Sequence, residues 1–252
     1  MVDNLYALSE LRAEYLIKHA FEVFGIDSEE AVQLLRAKND ETLTEQDREK
    51  IERLLAAVRN LVEFAVAEEY QLWKIATQSG YEEFDEELEG ELYDELIAEC
   101  ERYNKTYAIV ENEDVKYAMA MASWWIGVGR RDYIMYMTQG DDRVRPWHAV
   151  LEGFTARRDD FPSWMIPPIE WGCRCYLVDM AGDSVENSAS GLHQVMAKAP
   201  EKPSQLNGIF SDSVCKCGRI FGEAHPYFNV DEKDVDMLND FVELLKKKWY
   251  AE

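Results

Sequence analysis

The chain has 252 residues, of which 47% are hydrophobic and 12% aromatic, so it can bury the core of one large domain or two small ones. Fifty acidic residues face 27 basic ones, and the net charge of −23 repels phosphate backbones, which disfavours binding of duplex DNA by the surface as a whole. No run of about 18 apolar residues predicts a membrane helix, and the N-terminus lacks a signal-peptide pattern, so we expect the chain to stay in the compartment where it is made, without membrane contact. Five cysteines are too few for a disulfide framework, and we expect reduced thiols.

The first half of the chain is predicted to be helical. Apolar residues recur at helical spacing over residues 5–25, and Asp27 or Ser28 provides the cap of a short second helix that ends near Leu35. A near-complete capping box opens a long third helix over residues 44–79, which keeps one apolar stripe throughout.

An acidic run follows the third helix. Residues 81–101 contain 11 acidic residues and no basic one. They predict a further helix whose buried side would consist of Leu88, Leu92, Leu96 and Ile97. Its charge is typical of a solvated helix face, and it also suits an electrostatic site for a basic partner, so both interpretations stay open. Another helix is predicted from about Asp114 to Gly127 or Gly129.

The second half of the chain has shorter and more varied elements. Strands are predicted at residues 133–138 and 176–179, with turn-forming residues between them. A polar segment at 183–208 is predicted to be a long surface excursion, residues 211–228 a compact loop, and residues 230–250 a closing helix.

These elements together predict a mostly helical α+β protein. An N-terminal helical bundle or arm (residues 1–128) would precede a small α+β domain (residues 129–252) that has a short sheet, long loops and a C-terminal helix.

The segment PPIEWGCRCY, at residues 167–176, is predicted to form a structural corner. Pro167 and Pro168 favour an extended approach, and Gly172 permits a tight turn.

The Cys-x-Cys pair in this segment indicates one of two environments. Side chains two positions apart in a strand share a face, so Cys173 and Cys175 would point the same way, with Arg174 projecting between them. The two thiols would then either pack into the core or bind one metal ion together with His148.

A second pair, Cys215 and Cys217, leaves further alternatives open. The two pairs could supply four thiolates to zinc, although paired ligands of structural zinc sites usually have two to four residues between them. His148 and His225 are alternative third and fourth ligands. A redox role is disfavoured, because Cys-x-Cys lacks the two-residue spacer that lowers a thiol pKa. Buried, unreactive cysteines are the simplest interpretation, and zinc is the one cofactor that stays open.

The run DDRVRPWHAVLEG, at residues 141–153, is the other dense group of functional residue types. Asp142, Arg143, Arg145 and His148 could act as an acid, two anion-binding groups and a base. The chain has no phosphate-binding GxxxxGK[ST], no GxSxG and no HExxH motif, so no complete catalytic set accompanies them. A hydrogen-bonded corner fixed by an Arg–carboxylate pair is the favoured interpretation.

The ordered pattern D-x-R-V-R-P-x-H-x-x-L-x-G, followed by P-P and then G-C-R-C, resembles the phage Mu F-like minor head proteins, also called phage head morphogenesis proteins. The resemblance covers about residues 115–180, and FSDSVCKCGRIFGEAHPYF is similar to a region near the end of some members. The signature positions are Asp142, Arg143, Arg145, His148, Gly153, Pro168, Cys173, Arg174 and Cys175.

The resemblance implies a phage or prophage virion protein present in few copies inside the head near the portal. It would act in head assembly, DNA packaging or delivery, with the portal protein and other head or capsid proteins as partners. Packaged DNA is a further partner that the net charge disfavours. The expected location is the capsid interior, and the host cytoplasm during assembly. Some members carry an extra C-terminal toxin domain, for which this chain has no room, so we expect no catalysis.

Two other classes of function stay open from the sequence. One is a toxin-like transferase that uses Arg143, Arg145 and His148. The other is an interaction module stabilised by zinc.

Overall fold

The computed structural model describes residues 2–78, 97–180, 203–204 and 206–250. The predicted helix over the acidic run lies mostly outside these residues, as does most of the predicted surface excursion at 183–208. Ile97 is the one described member of the predicted buried stripe of the acidic run, and that prediction is wrong, because its side chain is 41% exposed.

The helices of the first half confirm the mostly helical prediction. They are α1 (Val2–Phe24), α2 (Ser28–Arg36), α3 (Glu45–Gln78) and α4 (Ala108–Gly127). The Asp27 side chain caps α2 by accepting a hydrogen bond from the Glu30 amide at 2.8 Å. Thr44 and Asp47 form the predicted capping box of α3, since each side chain accepts a hydrogen bond from the other residue's amide.

Helix α4 begins earlier than predicted. A helix at residues 97–101 continues through a π-helical turn, Arg102–Tyr107, directly into α4. Residues 97–101 are the described end of the helix predicted over the acidic run, whereas the turn Arg102–Tyr107 has no apolar stripe, so periodicity could not reveal it. Ion pairs three or four residues apart, Glu99 with Arg102 and Glu101 with Lys105, support it instead.

One antiparallel sheet is present among the described residues. Its strands are β1 (Tyr133–Met137), β2 (Thr155–Arg157) and β3 (Tyr176–Asp179), in the order β2-β1-β3. Strands β1 and β3 were predicted, whereas β2 was missed because three residues are too short to show an alternating pattern. A short helix, α5 (Pro146–Ala149), lies between β1 and β2.

The C-terminal segment runs along α3 and ends in helix α6 (Val235–Trp249). This helix was predicted to begin at residue 230. It begins later because the preceding residues contact α3 in a non-helical conformation: the Asn229 carbonyl accepts a hydrogen bond from Gln71, and Asp231 pairs with Lys74. The hydrophobic core is continuous across the predicted boundary at residue 128.

Asn60 joins α3 to the C-terminal segment. Its side chain is 1% exposed. The amide oxygen accepts hydrogen bonds from the backbone N–H groups of Ile220 and Phe221, both at 2.8 Å, and the amide nitrogen donates to the Phe221 carbonyl at 3.0 Å. One buried side chain therefore satisfies three buried backbone groups.

We expect Asn60→Ala to lower the free energy of unfolding by about 3 kcal/mol, because it leaves these buried backbone groups without partners. Urea denaturation followed by far-UV circular dichroism measures the loss. Gln71→Ala is the matched control, since Gln71 also lies on α3 and donates to two carbonyls of the C-terminal segment, but is half-exposed. The control should lose less than about 1 kcal/mol, and equal losses would contradict this role of Asn60.

Candidate functional site

The two motifs noted in the sequence meet in the structure. Helix α5 carries His148, and the chain that leads into β3 carries Cys173 and Cys175. The Nδ1 atom of His148 lies 3.3 Å from the Cys175 Sγ and 3.9 Å from the Cys173 Sγ. One ligand atom of each residue lies within 4.8 Å of the others, and the three residues are only 2–4% exposed. The structure thus places together the three residues that the sequence suggested as metal ligands.

The backbone around the two cysteines differs in one respect from the prediction. Strand β3 begins at Tyr176, so Cys173 and Cys175 precede the strand rather than forming part of it. Gly172 makes the predicted tight turn, with a φ of +59° that a side chain would disfavour. Both thiols still point inwards, while Arg174 is partly exposed.

Helix α4 fixes this turn from one side. The Gly172 amide donates to both carboxylate oxygens of Asp114, at 3.1 and 3.2 Å, and the Tyr117 hydroxyl donates to the Cys175 carbonyl. On the other side, Arg174 pairs with Asp141 at 2.7 Å. The position of both thiols is therefore set by hydrogen bonds to neighbouring elements.

Glu170 is the centre of the polar contacts behind His148. Its Oε2 atom accepts hydrogen bonds from Arg145 Nε at 3.1 Å, Trp147 Nε1 at 3.0 Å and His148 Nε2 at 3.2 Å. When Nε2–H donates to the carboxylate, the lone pair of the neutral imidazole lies on Nδ1, which faces the two sulfurs. Arg145 also donates to the Trp171 carbonyl at 2.7 Å, which fixes α5 to this turn.

The two thiols have different proton affinities. The pKa of Cys175 is lowered to about 7, mainly because the Cys173 thiol donates a hydrogen bond to its thiolate. The same hydrogen bond and burial raise the pKa of Cys173 far above its usual value. The more acidic thiol of the pair is therefore buried, which suits a metal ligand better than an exposed nucleophile.

The part of this chain that is similar to known proteins includes the whole site. Residues 75–178 match the family described as Phage Mu protein F like protein. The Mu-like prophage FluMu F protein of Haemophilus influenzae is 33% identical to this chain over 85 residues, which are 33% of this chain and 19% of that protein. Residues 75–178 belong to the phage Mu F-like family. No solved structure matches the chain.

Residues 75–178 are called the Mu F-like region below. The family is one of phage head-associated proteins of a structural type. Since the alignment spans about a fifth of the relative's length, what the whole relative does is not transferred by the match. Among the described residues, no helix has the length and apolar character needed to cross a membrane.

The other signature residues of the Mu F-like region lie around the site rather than in it. Asp142 and Arg143 are exposed, and the Arg143 amide donates to Asp141 at 3.1 Å. Gly153, with a φ of +83°, leads into β2, and Pro168 is buried. Arg143 and His148 therefore do not form a common cleft.

The second cysteine pair does not join the cluster. Cys215 is fully buried and Cys217 is exposed beside Arg53 of α3, so the four-thiolate site considered from the sequence is not formed among the described residues. His225, the alternative ligand, lies instead with Glu111 of α4, its Nε2 atom 3.7 Å from Oε1. Both pairs share the Cys-x-Cys spacing, but among the described residues only the first pair has a histidine within ligand distance.

Sequence reasoning missed the residues that position the site. Glu170 lies three residues before Cys173, within the quoted motif, so it was available as a histidine partner. Asp114 and Tyr117 gave no such signal, because their link to the turn at 172–175 depends on how α4 packs.

Glu111 belongs to a separate buried polar cluster between α1, α3 and α4. Arg12 pairs there with two carboxylates, Glu68 and Glu69, while Glu111 and His225 lie nearby. Burial raises the pKa of Glu68 to about 8 and that of Glu111 to about 7, and it lowers the pKa of His225 to about 4. These groups therefore link stability to pH.

We expect the free energy of unfolding of Glu111→Gln to increase relative to that of the original chain as pH rises from 5 to 7.5. A carboxyl with a raised pKa binds a proton in the folded state that it has lost in the unfolded state, so the original chain loses stability over this range. The relative gain should reach about 2 kcal/mol. The contributions of Glu68 and His225 are present in both proteins and cancel to first order.

Urea denaturation at a series of pH values measures this difference. Asn112→Ala is the control, because Asn112 lies on the same helix and has no ionisable side chain. Its difference from the original chain should not change with pH. A flat difference for Glu111→Gln would show that Glu111 ionises freely in the folded state.

Proposed function

We propose that this chain is a minor head protein of a phage or prophage particle. It lies inside the head near the portal and acts in head assembly, DNA packaging or delivery, without catalysis. The observation that carries the proposal is the Mu F-like match over residues 75–178, which includes both halves of the buried corner. A folded corner held by internal contacts fits a structural component better than a site that must admit a substrate.

The geometry around His148 supports a role without catalysis. The side chain is 2% exposed, and both of its ring nitrogens face protein atoms. Arg145 is engaged by Glu170 and by the Trp171 carbonyl, while Arg143 lies on the surface. A transferase would need these groups to converge on an open cleft.

The surface of α1 supports attachment to another protein. Leu8, Leu11 and Tyr15 are 51%, 62% and 50% exposed and follow one another at helical spacing. The net charge of −23 favours a protein partner over packaged DNA. The portal and other head or capsid proteins are the partners that this proposal assigns to the helical part.

We expect the chain to be present in particles purified from a producing host by density gradient. Quantitative mass spectrometry should find it in few copies relative to the major capsid protein. It should resist protease in intact particles and be cleaved after they are ruptured, because the shell encloses it. Absence from particles, or full cleavage in intact particles, would refute the proposal.

We expect the double variant Leu8→Glu, Leu11→Glu to fold normally but to enter particles at a reduced level. Both side chains are largely exposed, so the free energy of unfolding should change by less than about 0.5 kcal/mol for each. Leu244→Glu on α6 is the control, since Leu244 is 52% exposed. Equal incorporation of the original chain, the double variant and the control would exclude this face of α1 as the docking surface.

A further inference from the structure

We propose that His148 Nδ1, Cys173 Sγ and Cys175 Sγ bind one zinc ion, which fixes α5 to the start of β3. The proposal concerns the chain's own stability and does not depend on a role in the phage head. It rests on the placement of the three donor atoms, on the partner of His148 and on a buried hydroxyl beside the sulfurs.

The distances between donor atoms fit a tetrahedral ion. With usual zinc–sulfur and zinc–nitrogen bond lengths, neighbouring sulfur and nitrogen ligands lie about 3.5 Å apart. The two distances from His148 Nδ1, to Cys175 at 3.3 Å and to Cys173 at 3.9 Å, lie on either side of that value. Both nitrogen–sulfur distances are therefore within about 0.4 Å of the value in a tetrahedral zinc site.

Glu170 prepares His148 to be a ligand. Histidine ligands commonly donate their second ring N–H to a carboxylate, which fixes the tautomer and makes the free nitrogen more basic. Here Nε2 lies 3.2 Å from Glu170 Oε2, and the same oxygen is held by Arg145 and Trp147. Glu170 thus acts as a positioning residue for His148.

A buried hydroxyl gives an independent indication of a ligand at this place. Tyr136 on β1 is 0% exposed, its ring packs into the core, and its hydroxyl lies beside the Cys175 thiol. The hydroxyl interacts with this sulfur but without the geometry of a normal hydrogen bond, which is costly for a buried polar group. A ligand bound beside the sulfurs would give the hydroxyl a better partner.

The donor set selects the metal. Two thiolates and one imidazole favour zinc over calcium, magnesium or manganese, which prefer oxygen ligands. Two thiolates also neutralise a divalent cation, so a buried site carries no net charge. A groove of about 570 Å³ lined in part by Gly172, Cys173 and Arg174 gives the ion a route from solvent.

The competing interpretation is a group of reduced thiols that hydrogen-bond to each other and to His148. It explains the sulfur distances, but among the described residues it leaves the Tyr136 hydroxyl with a poorly aligned sulfur, that of Cys175, as its partner. The two interpretations differ in metal content, which can be measured directly on the intact chain.

The decisive experiment is elemental analysis of the full chain, purified without a polyhistidine tag or chelator and with a phosphine reductant. We expect about one zinc per chain, since structural zinc sites hold their metal strongly at neutral pH. Cobalt(II) added to the metal-free protein should give a thiolate-to-cobalt absorption band and the visible bands of tetrahedral cobalt. Less than about 0.2 zinc per chain, together with no cobalt band, would overturn the proposal.

Variants assign the ligands. Cys175→Ser and His148→Gln should lose the zinc and the tetrahedral cobalt spectrum, whereas Cys215→Ser, a change at an equally buried cysteine outside the cluster, should keep both. Glu170→Gln should keep the site but bind zinc roughly 10- to 100-fold more weakly in competition with a chromophoric chelator. Loss of zinc in Cys215→Ser, or full retention in Cys175→Ser, would show that the metal binds elsewhere.

The test of the zinc site and the test of the proposed function can fail independently of each other. A chain without zinc that enters particles would refute the metal site alone. A chain with zinc that is absent from particles would refute the head protein alone.

Discussion

The rest of the structure depends on the burial of α3. Between residues 54 and 67 its apolar side chains are inaccessible on nearly every side, as the values for Leu54, Leu61, Phe64 and Ala67, all 0–4%, show. A helix that is apolar all round must be surrounded, so α1, α4 and the C-terminal segment pack against different faces of α3. The long C-terminal loops are ordered because they complete this cover: Phe221 stacks on Phe64 at 4.5 Å, and Asn60 satisfies their backbone.

Helix α4 transmits this order to the corner of the Mu F-like region. One side of the helix packs into the shared core through Met119, Ala122 and Trp125. Nearer its N-terminus, the helix presents Asp114 and Tyr117, whose hydrogen bonds hold the turn with the two cysteines. The sheet beneath has short strands and little surface to bury, so the corner depends on contacts with α4 and α5 more than on its own strands.

The parts of this fold that could be predicted are those that depend on patterns within a short stretch of sequence. Caps and apolar spacing gave α1, α2 and α3, and the two-residue spacing of Cys173 and Cys175 with one nearby histidine gave the central cluster. Strand β2 and the π-helical turn Arg102–Tyr107 before α4 were missed, because neither has a pattern of its own and both are stabilised by neighbours. The same applies to Asp114, whose role comes from its contact with a turn 58 residues away. Long-range packing therefore explains what local sequence did not reveal.

The chain contains two buried polar clusters that balance charge in different ways. In the first, a single cation, Arg12, faces Glu68 and Glu69 and lies near Glu111, so burial favours protonated carboxyls and the charge depends on pH. In the second, Cys175 is the more acidic thiol, and the hydrogen bond to Cys175 together with burial opposes a second thiolate at Cys173. A divalent ion would remove this penalty, because two thiolates and zinc are neutral together. The first cluster can lower its charge by taking up protons, whereas the second would become neutral by binding the zinc ion proposed above.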